Sequence, residues 1–445
     1  MDKARLKRPR GTRDLFPWDM IKRRHVIETI RSVFELYGYD ELETPAFEFL
    51  EVLTAKCGPD VREQIYAFKD KGGRELGLRF DLTVPLARVV ASHPDLPKPF
   101  KRYCISRVWR YEEPQSGRFR EFWQADADVV GSAKMDADAE VIAVAVSCLK
   151  KLGMKNFKVR LNNRKILESM ATYAGVTGSI SLNVFRAIDK MDKIGLEGVK
   201  QELKKLGLAD DEASAIIKLI SIRGSIDIVE KELSHILTDR GREGINELAE
   251  IVSNLEIYGC SEYVVIDLSL ARGLDYYTGP IFEVSAETTV NVGSVAGGGR
   301  YDNLIELLGG PPTPATGISL GIDRLVEVLD EAGMLPGFRT STQVFIAYTS
   351  PLAKKEALIV AERLRGEGIR VEVDLMGRKL DRQLKYADVK GVPYVIVVGP
   401  QEVESGVYRL KDMKSREEHV VNLQKLIETL KRAFNSWSKG SVTCL

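Results

Sequence analysis

Between about Thr172 and Ile251 the chain changes texture. Helical periods rich in Lys, Glu and Leu, such as LEGVKQELKKLGL and IVEKELSHIL, interrupt sequence that reads on both sides as strands. The strands before and after such a block must still meet in one core, so the block reads as an inserted helical domain, residues 172–251, within a domain made of 1–171 and 252–331. Before the block, Asp19 to Tyr37 places Ile27, Ile30, Val33, Phe34 and Tyr37 at helical spacing, with Gly38 as a stop. Asp40 to Phe49 is extended and carries Pro45, which suits a sheet edge or a subunit boundary. Gly72 and Gly73 divide Asp70 to Phe80 in hairpin fashion, and EPQSGR joins the strand-like runs YCISRVWRYE and FREFWQADADVV. After the block, VVIDLSLARG, IFEVSAE, VGSVAGGG and ATGISLGIDRL add strands and a closing helix. The expectation is an α+β domain: an antiparallel sheet with helices.

The last hundred residues alternate instead. VFIAYT, VEVDL, YVIVVG and YRLKDM read as strands, separated by helices that include Pro351 to Arg365 and Arg378 to Lys390, and a final helix follows. That pattern predicts a separate α/β domain over 340–434 with a mainly parallel sheet, bordered by AGMLPGFRTST (Ala332 to Thr342).

Composition excludes several classes. No window approaches the roughly 18 apolar residues of a membrane span, and the basic start Met1 to Arg10 lacks an apolar stretch or cleavage site, so a soluble cytoplasmic protein is expected. Cys57, Cys104, Cys148, Cys260 and Cys444 are odd in number and form no CxxC pair, which suits a reducing compartment. His25, His93, His235 and His419 lie far apart, so no protein-bound metal is expected. The net charge is +1, but residues 341–445 carry 18 Lys+Arg against 13 Asp+Glu, which permits a polyanionic partner at that end.

Four segments concentrate arginine, glycine and acid in otherwise apolar strands: LRFDLT (Leu78 to Thr83), Val108 to Asp128, LARGLDYYTG (Leu270 to Gly279), and GSVAGGGRYD (Gly293 to Asp302) with GISLGIDR (Gly317 to Arg324). Each alone is as well read as a solvated arginine or a turn glycine. Together they imply a charged ligand, because buried charge is costly unless it is compensated.

In this order the segments resemble the class II aminoacyl-tRNA synthetases, and specifically the histidyl-tRNA synthetases, over nearly the whole chain. GTRDLFP (Gly11 to Pro17), the first helix and the ETP run at Pro45 look like the first class II motif, which implies a homodimer interface. WRYEEPQSGRFREFWQ looks like the second motif and GISLGIDRL like the third, while LARGLDYYTG and AGGGRYD resemble the two runs peculiar to the histidine enzyme. RFDLT at Arg79 to Thr83 stands where bacterial members carry an RPEGT-like run, and Asp128 where glutamate is common; both look like the archaeal and eukaryotic branch.

The resemblance implies a histidine–tRNA ligase that forms histidyl-adenylate from ATP and passes histidine to its tRNA, with Mg2+ accompanying the ATP phosphates. Its catalytic group is Arg110, Arg272 and Gln124. Joining a carboxylate to a phosphate brings two anions together, so Arg110 and Arg272 suit the task of bracketing them. Glu112, Arg118 and Arg120 join these two arginines in the ATP set, with Phe122 and Arg324 sandwiching adenine and Gly321 giving close access. Asp81, Leu82, Thr83 and Gln124 are assigned to the amino-acid end, and Asp128 with Tyr276 or Tyr277 to the imidazole. In the C-terminal domain, Arg378, Lys379, Arg382 and Lys385 recur at helical spacing as a basic face for tRNA. A catalytically silent relative with a regulatory or tRNA-sensing role is the alternative.

Overall fold

The computed structural model describes residues 6–55, 59–115, 117–176, 180–272, 276–288 and 293–438. Cys57 and Cys444 lie outside the described residues, as do Gly273, Leu274 and Asp275 of the LARGLDYYTG run. The chain forms two units. One takes the chain up to Arg13 and from Val26 to Gly333, and the other takes Asp14–His25 and the chain from Met334 onward.

Helix α1 (Pro17–Leu36) turns Val26, Ile30, Val33 and Phe34 into the core of the first unit, as their spacing predicts. Strands β1 (Asp40–Glu41) and β2 (Phe47–Phe49), short helices α2 (Leu50–Thr54) and α3 (Pro59–Glu63), and strands β3 (Ala67–Lys69) and β4 (Glu75–Leu78) follow. β2, β4 and β3 make a small antiparallel sheet, with the Gly72–Gly73 turn joining β3 to β4. Next come α4 (Thr83–Ser92), the long hairpin β5 (Phe100–Trp109) and β6 (Glu121–Val130), then α5 (Met135–Lys151), β7 (Phe157–Asn163) and α6 (Arg164–Tyr173).

The following stretch is mainly helical: α7 (Ile180–Asp189), α8 (Met191–Lys205), α9 (Asp210–Ile220), α10 (Ile226–Leu233) and α11 (Asp239–Ile257). These helices bury their own apolar faces, including Phe185, Leu203, Ile216, Leu233 and Leu248. Between them β8 (Arg223–Gly224) forms an extended pair that the helical pattern conceals. The chain then returns to sheet through β9 (Val264–Asp267), β10 (Pro280–Ala286) and β11 (Ser294–Arg300), and closes with α12 (Leu304–Leu307), β12 (Ala315–Gly321) and α13 (Ile322–Glu331).

Among the described residues, nine strands form the main sheet in the order β1-β5-β6-β12-β11-β10-β7-β9-β8. The six-strand run from β5 to β7 is antiparallel throughout, as expected, with parallel pairs only at β1/β5 and β7/β9. Strands from before and after the helical stretch lie side by side there, β7 beside β10 and β6 beside β12.

In the second unit β13 (Val344–Tyr348) is wholly buried, followed by α14 (Pro351–Gly366), β14 (Val371–Val373), α15 (Leu380–Lys390), β15 (Tyr394–Val398), α16 (Pro400–Ser405), β16 (Val407–Asp412), β17 (Glu418–Asn422) and α17 (Leu423–Ser438). Helix α14 is sharply started: the Ser350 side chain accepts from Ala353 N, and Pro351 occupies the first turn, where its missing N–H costs nothing. The expectation of a mainly parallel sheet needs correction. β14, β13 and β15 run parallel, but β16 and β17 are antiparallel additions. After β15 the chain makes only the six-residue α16 and returns directly, and the polar run EHVVN of β17 carries no alternation that would mark it as a strand. Among the described residues no helix is long and apolar enough to cross a membrane.

Candidate active site

Alternation along β6 sends Gln124, Asp126 and Asp128 to one face of the main sheet. Register carries that face sideways. Ser106, Cys104 and Arg102 of β5 stand opposite these three residues on one side, and Gly321, Ser319 and Gly317 of β12 on the other. Gly297 pairs with Ser319, Glu283 with Gly297 and Arg160 with Glu283, so Asp126, Ser319, Gly297, Glu283 and Arg160 form one row across five strands. The glycines make a trench in this face. A Cβ on Gly317 would lie 2.0 Å from Asp128 Oδ1, and one on Gly297 would lie 2.6 Å from an Arg272 guanidinium nitrogen. Any side chain at either place would displace a charged group of the site.

Over the trench lies an open cleft. Its acids are Asp81, Asp126 and Asp128, its arginines Arg110 and Arg272, and Thr83, Gln124, Tyr276, Tyr277 and Tyr301 complete the polar lining. Burial pushes the Asp81 carboxyl up to about 6 despite the Val84 N–H, 3.0 Å from Oδ1, and the nearby Arg110. Burial and the neighbouring Asp128 push Asp126 up to about 7. Burial raises Asp128 as well, but Arg102, 3.0 Å away, and the Tyr301 hydroxyl, donating at 2.5 Å, favour its charged form. Gln124 donates to Ser319 Oγ at 2.8 Å.

The Arg272 guanidinium lies over Gly297 and donates to Glu283 Oε2 at 2.8 Å. Burial opposes its charge, but Tyr277 and Glu283 outweigh that and hold it more firmly protonated than usual. Its φ of 56° is a left-handed conformation, costly for a residue with a Cβ and often found where a side chain must be aimed. Arg110 donates to Phe80 O at 3.0 Å and lies over the Phe122 ring, 5.2 Å from its centroid. Glu112 sits 3.9 Å from Arg110 and 3.6 Å from Arg118. Burial together with repulsion from Arg118 and Arg110 lowers the Arg324 guanidinium to about 10. Guanidinium groups held this close strain against one another, an arrangement that a polyanion relieves.

Of the expected amino-acid set, Asp81, Thr83, Arg110, Gln124, Asp128, Arg272, Tyr276 and Tyr277 line this cleft. Leu82 does not: its side chain is buried with Cys104, Val108 and Phe122, and its carbonyl accepts from Arg102. Of the expected nucleotide set, Arg110, Glu112, Arg118 and Arg324 cluster, whereas the Arg120 side chain is engaged by its own loop. Its Nε donates to Glu112 O at 3.0 Å, its guanidinium lies 3.9 Å over the Tyr111 ring, and its N–H donates to Gly11 O. Gly321 has only the Arg324 stem and Val295 O near its missing side chain, at 3.6 Å. Asp126, Glu283, Tyr301, Ser319 and Arg102 are not among the residues expected from the sequence. Buried arginine is also not always a ligand group: Arg300 is satisfied by Asp138 and the carbonyl of Ser132.

In the second unit helix α15 begins at Leu380, with Lys379 as its N-cap. Arg378 is tied to the buried Asp374, Nε at 2.6 Å, and lies 4.2 Å over the Tyr386 ring, so it leaves the proposed basic face. Lys379, Arg382 and Lys385 are exposed.

A family model described as histidyl-tRNA synthetase matches residues 11–325, and one described as an anticodon binding domain matches 343–433. The chain belongs to the histidyl-tRNA synthetase family. A histidine–tRNA ligase of Pyrococcus horikoshii is 43% identical over 428 residues, covering 96% of this chain and 99% of that protein. The crystal structure of histidyl-tRNA synthetase from Nostoc sp. PCC 7120 matches with a TM-score of 0.83 at 32% identity, over 96% of this chain and 99% of that one. A structure described as an ATP phosphoribosyltransferase regulatory subunit/histidyl-tRNA synthetase from Bacillus halodurans matches at 28% identity with a TM-score of 0.75, over 88% of this chain and 98% of that one. The histidyl-tRNA synthetase fold therefore accommodates a regulatory description too, and activity has to be argued from the site.

Proposed function

We propose that this chain is a histidine–tRNA ligase whose cleft joins histidine to ATP and then passes the histidyl group to tRNA. The observation that carries the reading is the meeting in one cleft of Arg110 and Arg272 with the acids Asp81 and Asp128. A silent relative has no need to keep two arginines and a strained backbone at Arg272. In the first step a histidine carboxylate oxygen attacks the α-phosphorus, the bond to the β-phosphate breaks and pyrophosphate leaves; positioning and charge neutralisation suffice, without a protein base.

Arg110 and Arg272 bracket the α-phosphate and the carboxylate, with Gln124 orienting the amino acid. Asp81 and Thr83 hold the ammonium. Asp128, fixed by Tyr301 and Arg102, reads the ring, and Tyr276 or Tyr277 closes over it. Arg118 and Glu112 serve the outer phosphates, while Phe122 and Arg324 enclose adenine. Glu112 and Glu283, whose charges act on Arg324, would lie beside a Mg2+ ion brought in with ATP, which would supply neutralisation of phosphate charge. Pyrophosphate exchange with each of the twenty amino acids tests the reading. Exchange driven by histidine alone is expected, and a chain that supports none with any amino acid is the regulatory relative.

The protein acts in the cytoplasm as a homodimer. Supporting this, Phe47, Phe49 and Phe68 of the small sheet are exposed, with Phe47 and Phe68 edge to face, an apolar surface suited to a two-fold partner. Light scattering at micromolar concentration is expected to give twice the chain mass of 49.7 kDa; a value equal to the single chain rules the dimer out.

A further inference from the structure

The cleft contains an acceptor that these roles leave unused. Asp126 is 2% exposed and lies between Gln124 and Asp128 on the cleft face of β6. Ser319 bonds to its side chain, while its Oδ1 is buried without a hydrogen-bond partner. Asp128 is alike in part: Tyr301 donates to its Oδ1, while its Oδ2 has Arg102 as a counter-ion 3.0 Å away but, like Asp126 Oδ1, no hydrogen-bond donor. A buried carboxylate oxygen that no donor satisfies is costly, and its retention calls for a donor from outside the chain.

Ionised carboxylates only accept hydrogen bonds. A neutral imidazole offers them one N–H, whereas an imidazolium offers two. Asp126 and Asp128 stand two residues apart on the same strand face, so the pair matches a ring with two donors. The surroundings favour a cation as well. Facing Asp126 are Arg102 and Cys104 of β5 with Arg79 beside them, Gln124 and Asp128 on its own strand, Ser319 on β12, and Asp81 and Tyr301 from the adjoining loops. Arg79 is occupied with Thr44, Ser106 and backbone carbonyls. That leaves Arg102 as the cation acting on Asp126 itself, against three acids; Arg110 and Arg272, which line the same cleft, are assigned to the carboxylate and the α-phosphate.

We infer that Asp126 is a second ring-reading residue, and that the cleft binds the histidine side chain as imidazolium, with one N–H to Asp128 and the other to Asp126. This rests on the ligase reading above. Near pH 8 free histidine is neutral at its ring, whose ordinary pKa is about 6.5. Asp126, with its carboxyl at about 7, is ionised there. Binding therefore takes one proton from solvent, and that proton goes to the ring nitrogen that lacked one. In the complex the ionised Asp126 accepts from it.

The test is calorimetric titration of the full-length protein with histidine at pH 8 in buffers of different ionisation enthalpy, which counts protons. The wild type is expected to take up close to one proton per site and Asp126→Asn close to none. The variant should also raise the KM for histidine at least about tenfold while the KM for ATP stays within about twofold, and should melt no lower than the wild type because a buried charge has been removed. Histidine binding by the wild type without proton uptake overturns the inference, as does uptake that survives in Asp126→Asn. If the variant fails to fold, the wild-type proton count decides. Absence of both histidine binding and exchange in the wild type removes the ligase reading itself, and this inference with it.

Discussion

Replacing Arg272 with alanine is expected to slow histidine-dependent pyrophosphate exchange at least about a hundredfold, roughly 3 kcal/mol, with a much smaller change in the KM for histidine. The reason is geometric. The guanidinium is laid against the backbone of Gly297 by a residue at φ 56° and held by Glu283, so it is aimed before any substrate arrives. Such a group favours the transition state, in which two anions have been forced together, more than either substrate alone. Alanine also leaves the half-buried Glu283 without its closest donor, although Arg160 remains 3.8 Å away, so some loss of stability is expected. Arg272→Gly separates the two effects. Glycine tolerates the left-handed backbone and recovers on the order of 1 kcal/mol of strain, yet it supplies no guanidinium. Both variants should lose exchange while Arg272→Gly melts higher than Arg272→Ala. Exchange at the wild-type rate in either variant removes the assigned role.

The contrast between Asp126 and Leu82 shows what was legible in the sequence and what was not. Strand period alone places Asp126 on the same face as Gln124 and Asp128, so it could have been named from FWQADAD once the two flanking residues were chosen. Leu82 stands between Asp81 and Thr83 but does not share their surroundings. Helix α4 begins immediately after it, and the turn into that helix sends the side chain into the apolar cluster with Cys104 and Val108. The contacts of Arg120 and Arg378 were not legible for another reason. Their partners, the carbonyl of Glu112 with the Tyr111 ring, and Asp374 with the Tyr386 ring, are set by loop and capping geometry that no spacing rule encodes. Glu283 and Arg160 were invisible because only the register of five strands sets them in a row with Asp126. The α+β layer and the final α/β alternation were legible because each depends on periodicity over long stretches. β8 and β17 were not, being respectively too short and too polar to carry a period.

The loss of Arg378 from the basic face narrows the RNA prediction to three residues. Lys379, Arg382 and Lys385 stand three apart at the start of α15, all exposed, and replacing all three with alanine should leave pyrophosphate exchange within about twofold of wild type while weakening tRNA charging on the order of a hundredfold. The separation is expected because adenylation involves no RNA, and the residues assigned to it all lie at or before Arg324. About 1 kcal/mol for each lost phosphate contact gives the stated factor. Salt supplies an independent check. Each neutralised phosphate contributes roughly 0.7 to 0.9 to the slope of log affinity against log salt, so the triple variant should show a slope shallower by about 2 to 3 than the intact protein between about 50 and 200 mM. Arg378→Ala serves as a control with a different expected signature. Removing the guanidinium leaves Asp374 buried without its counter-ion, with only backbone donors, so the melting temperature of the second unit should fall while the salt slope changes little. Charging by the triple variant with wild-type efficiency and an unaltered salt slope means that this helix face is a solvated surface and that RNA is held elsewhere.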